Sequence, residues 1–175
     1  ELCSAALSQR YRSERLPVSE VLKIAVKIGS AIETAHRAGV LHRDIKPSNV
    51  LVTTLDRPVL ADFGIAQVAG EQIGGSEQLA MSIPWSAPEV VQMTSGGSVA
   101  SEVWSLGATL YSFAAGRSPF ELPERAQNTR AKLSDRIAKA VYPSIPGAQG
   151  YAPLDEVLSI ALRKNPDERY ASMAQ

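Results

Sequence analysis

The stretch "AGVLHRDIKPSNVLV", residues 38–52, sets His42, Arg43, Asp44, Lys46 and Asn49 into a run otherwise dominated by Ala, Gly, Val and Leu. Asp62 follows within "DFG" at 62–64, and "APE" occupies 87–89. The carboxylate of Asp62 and the amide oxygen of Asn49 are hard oxygen donors, the ligand type that Mg²⁺ prefers. His42 invites assignment as a general base. Taken singly, Asp44, Asn49 and Asp62 also read as ordinary loop-capping residues. The ordered set, and no single member of it, argues for chemistry.

These residues need elements to hold them. From Val18 the apolar positions Val21, Leu22, Ala25, Ile28, Ala31, Ile32 and Ala35 recur at three- and four-residue spacing and predict one long helix. Gly39 is placed to end it as a left-handed cap. Val50 to Thr53 and Val59 to Ala61 are short β-favouring runs joined by "TLDR" and Pro58, which predicts a small hairpin just after the polar cluster. Beyond Pro88, helices are expected near 88–93, 102–115, 124–140 and 155–163. The basic run "RYRSER", residues 10–15, reads as a solvated helix end.

Composition narrows the classes. The 175 residues, 45% of them hydrophobic, suffice for one domain with a real core and not for two large ones. Eighteen basic and eighteen acidic side chains cancel, so no global field attracts nucleic acid. The longest charge-free apolar stretch, Val103 to Gly116, is fourteen residues, too short to span a bilayer. The single cysteine, Cys3, fits a reducing, cytoplasmic setting.

"HRDIKPSN", "DFG" and "APE" stand in the order and spacing of the protein-kinase signature set. The chain resembles the eukaryotic-type serine/threonine protein kinases, and "DFGIA" together with "AHRAGVLHRDIKPSNVLV" is similar to their bacterial branch. The resemblance covers nearly the whole chain. It implies an α+β, protein kinase-like fold, of which residues 1–175 form the mainly helical C-terminal lobe with a small β-hairpin carrying the catalytic loop. The implied activity is transfer of the ATP γ-phosphate, with Mg²⁺, to Ser/Thr hydroxyls of protein substrates. Such transfer asks the protein mostly to position groups and to neutralise charge.

The resemblance also assigns roles. Asp44 orients the substrate hydroxyl and accepts its proton. Lys46 touches both the transferring phosphate and Asp44. Asn49 and Asp62 hold the metal, and Cys3 and Leu51 lie at the nucleotide. His42 packs beneath Phe63 in the core instead of acting as a base, and His36 is structural. Arg43, directly before Asp44, marks the type in which activation depends on phosphorylation of a loop serine. Ser76 is the candidate for that modification, whereas Ser82 keeps a structural hydroxyl near Asp44. Glu89 pairs with Arg169 of "NPDERY".

The sequence also departs from the family pattern. Glu102 stands where the family almost always has Asp, whose carboxylate anchors the backbone of the catalytic loop. Its extra methylene predicts a loop that sits differently. Met81 and Trp85 replace the usual Gly and Tyr beside the substrate. No G-x-G-x-x-G occurs, and the only lysines before Asp44 are Lys23 and Lys27, both in the predicted long helix. The expectation is a lobe beginning at the inter-lobe hinge near Glu1 to Cys3, inactive without an N-terminal lobe and prone to self-association through the uncovered face. Its alternative is a non-catalytic binding module. Any membrane tether would lie in segments outside this chain.

Overall fold

A computed structural model describes residues 3–63, 82–145, 147 and 151–175. Strand β1 (Cys3–Ala6) leads into helix α1 (Leu7–Ser13) and then the long helix α2 (Val18–Arg37). A 3₁₀ turn at Pro47–Asn49 opens onto strands β2 (Val50–Thr53) and β3 (Pro58–Leu60). A second 3₁₀ turn, Ile83–Trp85, precedes the short helix α3 (Pro88–Val91). Helices α4 (Val99–Ala115), α5 (Arg130–Lys139) and α6 (Ala152–Ala161) complete the described elements, with 3₁₀ turns at Arg125–Gln127 and Pro166–Glu168. The body is mainly helical with one small sheet, the fold class read from the sequence.

Helix α2 buries Val21, Ile24, Ile28 and Ile32 and leaves Val26 in solvent, the one-sided pattern of a helix packed on a core. Its end is set by backbone geometry. Gly39 adopts φ 74°, its N–H donates to His36 O at 2.9 Å, and the N–H of Val40 donates to Ala35 O at 2.9 Å. This pair of bonds is a Schellman closure, which turns the chain sharply toward His42.

Helix α4 is the central pillar, with fourteen of its residues buried from Ser101 to Ala115. It starts at Val99, three residues before the expected position, because Ser98 and Ser101 exchange side-chain and backbone hydrogen bonds in a capping box. Its aliphatic hydroxyls are satisfied within the helix, Ser105 donating to Ser101 O, Thr109 to Ser105 O and Ser112 to Ala108 O, whereas Tyr111 donates outward to Pro143 O. Gly107 lets α6 approach closely, since a Cβ there would stand 3.1 Å from that of Ala161. Helix α5 is shorter than expected because residues 124–129 form a 3₁₀ turn and a loop tied by Asn128, whose side chain bonds both the N–H and the O of Leu122. Helix α6 starts at Ala152, with Pro153 in its first turn, where a missing N–H costs nothing.

The expected hairpin forms from β2 and β3, and β1 adds a third strand to it. The sheet has three antiparallel strands in the order β1-β2-β3. Strand β1 pairs Cys3 with Thr53 and Ala6 with Leu51, and β3 pairs Pro58 with Val52 and Leu60 with Val50. The small residues of β1 carry little strand propensity, so pairing with β2 decides their conformation. Pro58 is tolerated because β3 is an edge strand, where an absent N–H leaves no ladder bond unmade.

Candidate active site

The Schellman turn after α2 delivers the chain into residues 41–49, which lie against α1 and α4 and run straight into β2. His42 is fully buried and uses both ring nitrogens. Nε2–H donates to Ala61 O at 2.9 Å, and Nδ1 accepts the Asp44 N–H at 3.2 Å. The imidazole is thereby a neutral spacer between the polar loop and the segment after β3, and its ring packs 4.6 Å from that of Phe63. A histidine with both nitrogens committed to backbone has no lone pair to offer a substrate.

Asp44 is the centre of the cluster. Its Oδ1 accepts from Ser82 Oγ at 2.7 Å, and its Oδ2 lies 2.7 Å from Lys46 Nζ and accepts from Asn49 Nδ2 at 3.1 Å. Lys46 also donates to Ser82 Oγ at 3.0 Å, and Asn49 Nδ2 donates to the backbone O of Asp44 at 2.7 Å. Three side chains from two separate segments therefore close around one carboxylate. Burial by itself pushes the Asp44 carboxyl up, but the Lys46 ammonium, the Ser82 hydroxyl and the Asn49 amide outweigh it and hold the group below the usual carboxylate range. The stability that this ionised group contributes is present above about pH 4, its unfolded value, and is lost as pH falls through the depressed folded value. In Lys46→Met the opposition to burial weakens, so the Asp44 titration is expected to move upward. A carboxyl-carbon NMR titration measures this, and an unmoved midpoint would contradict the account.

Asp62 follows β3 with φ 58° and an exposed side chain, and no hydrogen bond or ion pair engages it among the described residues. Its neighbour Ala61 donates its N–H to Asn49 O at 2.8 Å, which ties the two oxygen-bearing residues through backbone. The Asn49 amide nitrogen faces Asp44, leaving Oδ1 on the other side. Two hard oxygens fit Mg²⁺, which takes one or two protein ligands and completes its shell with phosphate oxygens and water. No cluster of three or more His, Cys, Asp or Glu suited to a metal ion occurs among the described residues.

Glu102 shows what the extra methylene does. Its Oε1 accepts the N–H of Arg43 at 2.5 Å, and its Oε2 accepts from His36 Nε2–H at 2.6 Å, with both side chains nearly excluded from solvent. One carboxylate thus splints the end of α2, the N-terminal turn of α4 and the catalytic-loop backbone, where Arg43 holds φ 67°. The expected displacement of the loop does not require a lost anchor, because the longer side chain spans both partners. In Glu102→Asp the shorter carboxylate loses one of them. The expected cost is about 1–3 kcal/mol, the range for a buried group left without its partner, read as a lower urea midpoint at unchanged m-value.

Glu89 and Arg169 meet in a bidentate pair, Nη1 to Oε1 at 2.7 Å and Nη2 to Oε2 at 2.9 Å. Arg169 places its remaining donors on the carbonyls of Arg163, Ala100 and Lys164 and lies 4.9 Å from the Trp104 ring. Trp85 points inward, its Nε1–H donating to Ser112 Oγ at 2.9 Å. Cys3 and Leu51 sit on adjacent strands of the sheet, two β2 positions apart by register. Ser76 and Met81 lie outside the described residues. The Ser82 hydroxyl lies at Asp44, as the family resemblance implies, and also accepts from Lys46, a contact that follows no local period.

No helix among the described residues is long and apolar enough to cross a membrane. The family model described as "Protein kinase domain" matches residues 1–175. Among similar curated proteins, Serine/threonine-protein kinase PknK of Mycobacterium bovis is 37% identical over 155 residues, 89% of this chain and 14% of its own length. Ribosomal protein S6 kinase alpha-4 of Homo sapiens is 32% identical over 94% of this chain and 21% of its own. Serine/threonine-protein kinase PknA of Mycobacterium tuberculosis is 32% identical over 92% and 36% respectively. The chain therefore spans between about a seventh and a third of the relatives it matches.

Proposed function

The chain belongs to the protein kinase domain family, and from that premise we propose that it is the catalytic-loop half of an ATP-dependent serine/threonine kinase acting on protein hydroxyls. The observation that carries this reading is the closed set of contacts around Asp44. A carboxylate held ionised, with an ammonium 2.7 Å away, suits a group that aligns a substrate hydroxyl and takes its proton late, as a loose phosphoryl-transfer transition state asks. Lys46, shared between Asp44 and Ser82, is placed to offset negative charge beside that carboxylate. Asn49 and Asp62 would hold Mg²⁺, which when bound supplies charge neutralisation on the phosphates.

Catalysis in this family also draws on a glycine-rich loop and a strand lysine. This sequence has no G-x-G-x-x-G, and its only lysines before Asp44, Lys23 and Lys27, stand exposed on α2. The 175 residues alone are expected to transfer negligible phosphate, and a longer polypeptide supplying those two parts is expected to transfer it readily. The deciding experiment follows labelled γ-phosphate from ATP and Mg²⁺ into a generic protein acceptor with both forms. Vigorous transfer by the 175 residues would refute the division of labour. Silence of the longer form would refute the kinase reading and favour a binding module.

A further inference from the structure

We propose that the arginine-lined cleft between α1 and the α4–α5 connection seats an acidic stretch of the polypeptide substrate; this rests on the kinase reading above and specifies the substrate class. The cleft is about 990 Å³ and its walls carry Arg12, Arg15, Arg117 and Arg125 against one carboxylate, Glu121. That carboxylate is already in use, since its Oε2 accepts the Ser118 N–H at 3.0 Å. None of the ion pairs among the described residues involves Arg12, Arg117 or Arg125. The Nε of Arg117 is itself buried without a hydrogen-bond partner. In a chain of zero net charge, the cleft carries a local excess of positive charge.

Guanidinium groups are planar forks that match carboxylates in pairs, and clusters of them read acidic motifs. The cleft is open and far larger than a single small anion, and the partly exposed Leu122 adds an apolar wall for peptide backbone and stems. Its two banks also adjoin the site. Helix α1 packs on the Pro47–Asn49 turn, and α5, at the end of the connection, packs on Ile83–Trp85, directly after the Ser82 that bonds Asp44. A chain lying in the cleft is thus led toward the Asp44 carboxylate.

The test has two arms. Fluorescence anisotropy compares binding to the protein of a short labelled Asp/Glu-rich peptide and its Asn/Gln counterpart, which needs no turnover. A second arm compares kcat/KM for the same two sequences carrying one serine, using the longer polypeptide that supplies the glycine-rich loop and strand lysine. The acidic peptide is expected to be preferred by about tenfold at low salt. Arg12→Glu and Arg125→Glu should each cut that preference by up to about fivefold, and added salt should erode it. Lys27→Glu, an equal charge change outside the cleft, should keep it. Equal binding of the two peptides, a preference that survives Arg12→Glu/Arg125→Glu, or tight binding of inorganic phosphate with none of the acidic peptide would each overturn the proposal. Absence of turnover with every peptide, beside an intact binding preference, would instead count against the kinase reading and leave the cleft assignment standing.

Discussion

Asp44→Asn is expected to lower phosphoryl transfer by about 10²–10⁴-fold, the usual worth of a positioned proton acceptor, in a form of the protein that supplies the remaining nucleotide contacts. The substitution is nearly isosteric. Ser82 Oγ can still donate to the side-chain oxygen of residue 44, and the backbone O that receives Asn49 Nδ2 is untouched. What disappears is the negative charge that pairs with Lys46 Nζ and accepts from Asn49 Nδ2, the charge proposed above to align the incoming hydroxyl. The loss should therefore appear in kcat, with little change in the urea midpoint. Steady-state transfer to a protein acceptor, measured beside chemical denaturation, separates the two. Full activity in Asp44→Asn would remove Asp44 from the mechanism. An equal loss of activity and stability would make it a structural residue.

The second large effect is on stability. Arg169→Met is expected to destabilise the fold by about 3–5 kcal/mol, because it leaves a largely buried carboxylate on Glu89 without its partner. The same change orphans the carbonyls of Ala100, which ties the "NPDERY" segment to α4, and of Arg163 and Lys164 just before that segment. A loss of this size is a large fraction of the roughly 5–15 kcal/mol that holds a domain together. Arg169→Lys should recover only part of it, since one ammonium cannot reproduce five donors in a planar fork. Glu89→Leu combined with Arg169→Met should be less damaging than Arg169→Met alone, because the stranded charge is gone. Urea denaturation of the three variants gives the ordering, and a double variant no more stable than Arg169→Met would show that hydrogen bonds to the carbonyls, and not the stranded charge, dominate.

The reach of the sequence follows the range of the interactions. Asp44, Lys46 and Asn49 lie within six residues, and their convergence needs only an extended stretch closed by a 3₁₀ turn that Pro47 starts. The end of α2 was legible because Gly39 relieves the steric cost of positive φ, and the helix itself because its apolar spacing is periodic. The ordered motifs identify the family for the same reason: they are local strings read directly. The strand state of "CSAA" was not legible, because pairing across to β2 supplies what the residues themselves lack.

Packing alone decided the rest. Ser82 reaches Asp44 from 38 positions away, and Glu102 reaches Arg43 and His36 across 59 and 66. The Glu102 contacts depend on where α4 stands against α2, and the Ser82 contact on where the Ile83–Trp85 turn packs, which no local spacing records. The arginines of the cleft come from two segments roughly a hundred residues apart, and in the sequence they are unremarkable members of a neutral chain. Thus the sequence by itself determined the family, the main helices and the residue types available for chemistry, through short-range propensity and periodicity. The tertiary structure decided which charges meet, which are satisfied and which remain turned toward a partner, because burial and long-range contact exist only once the chain has folded.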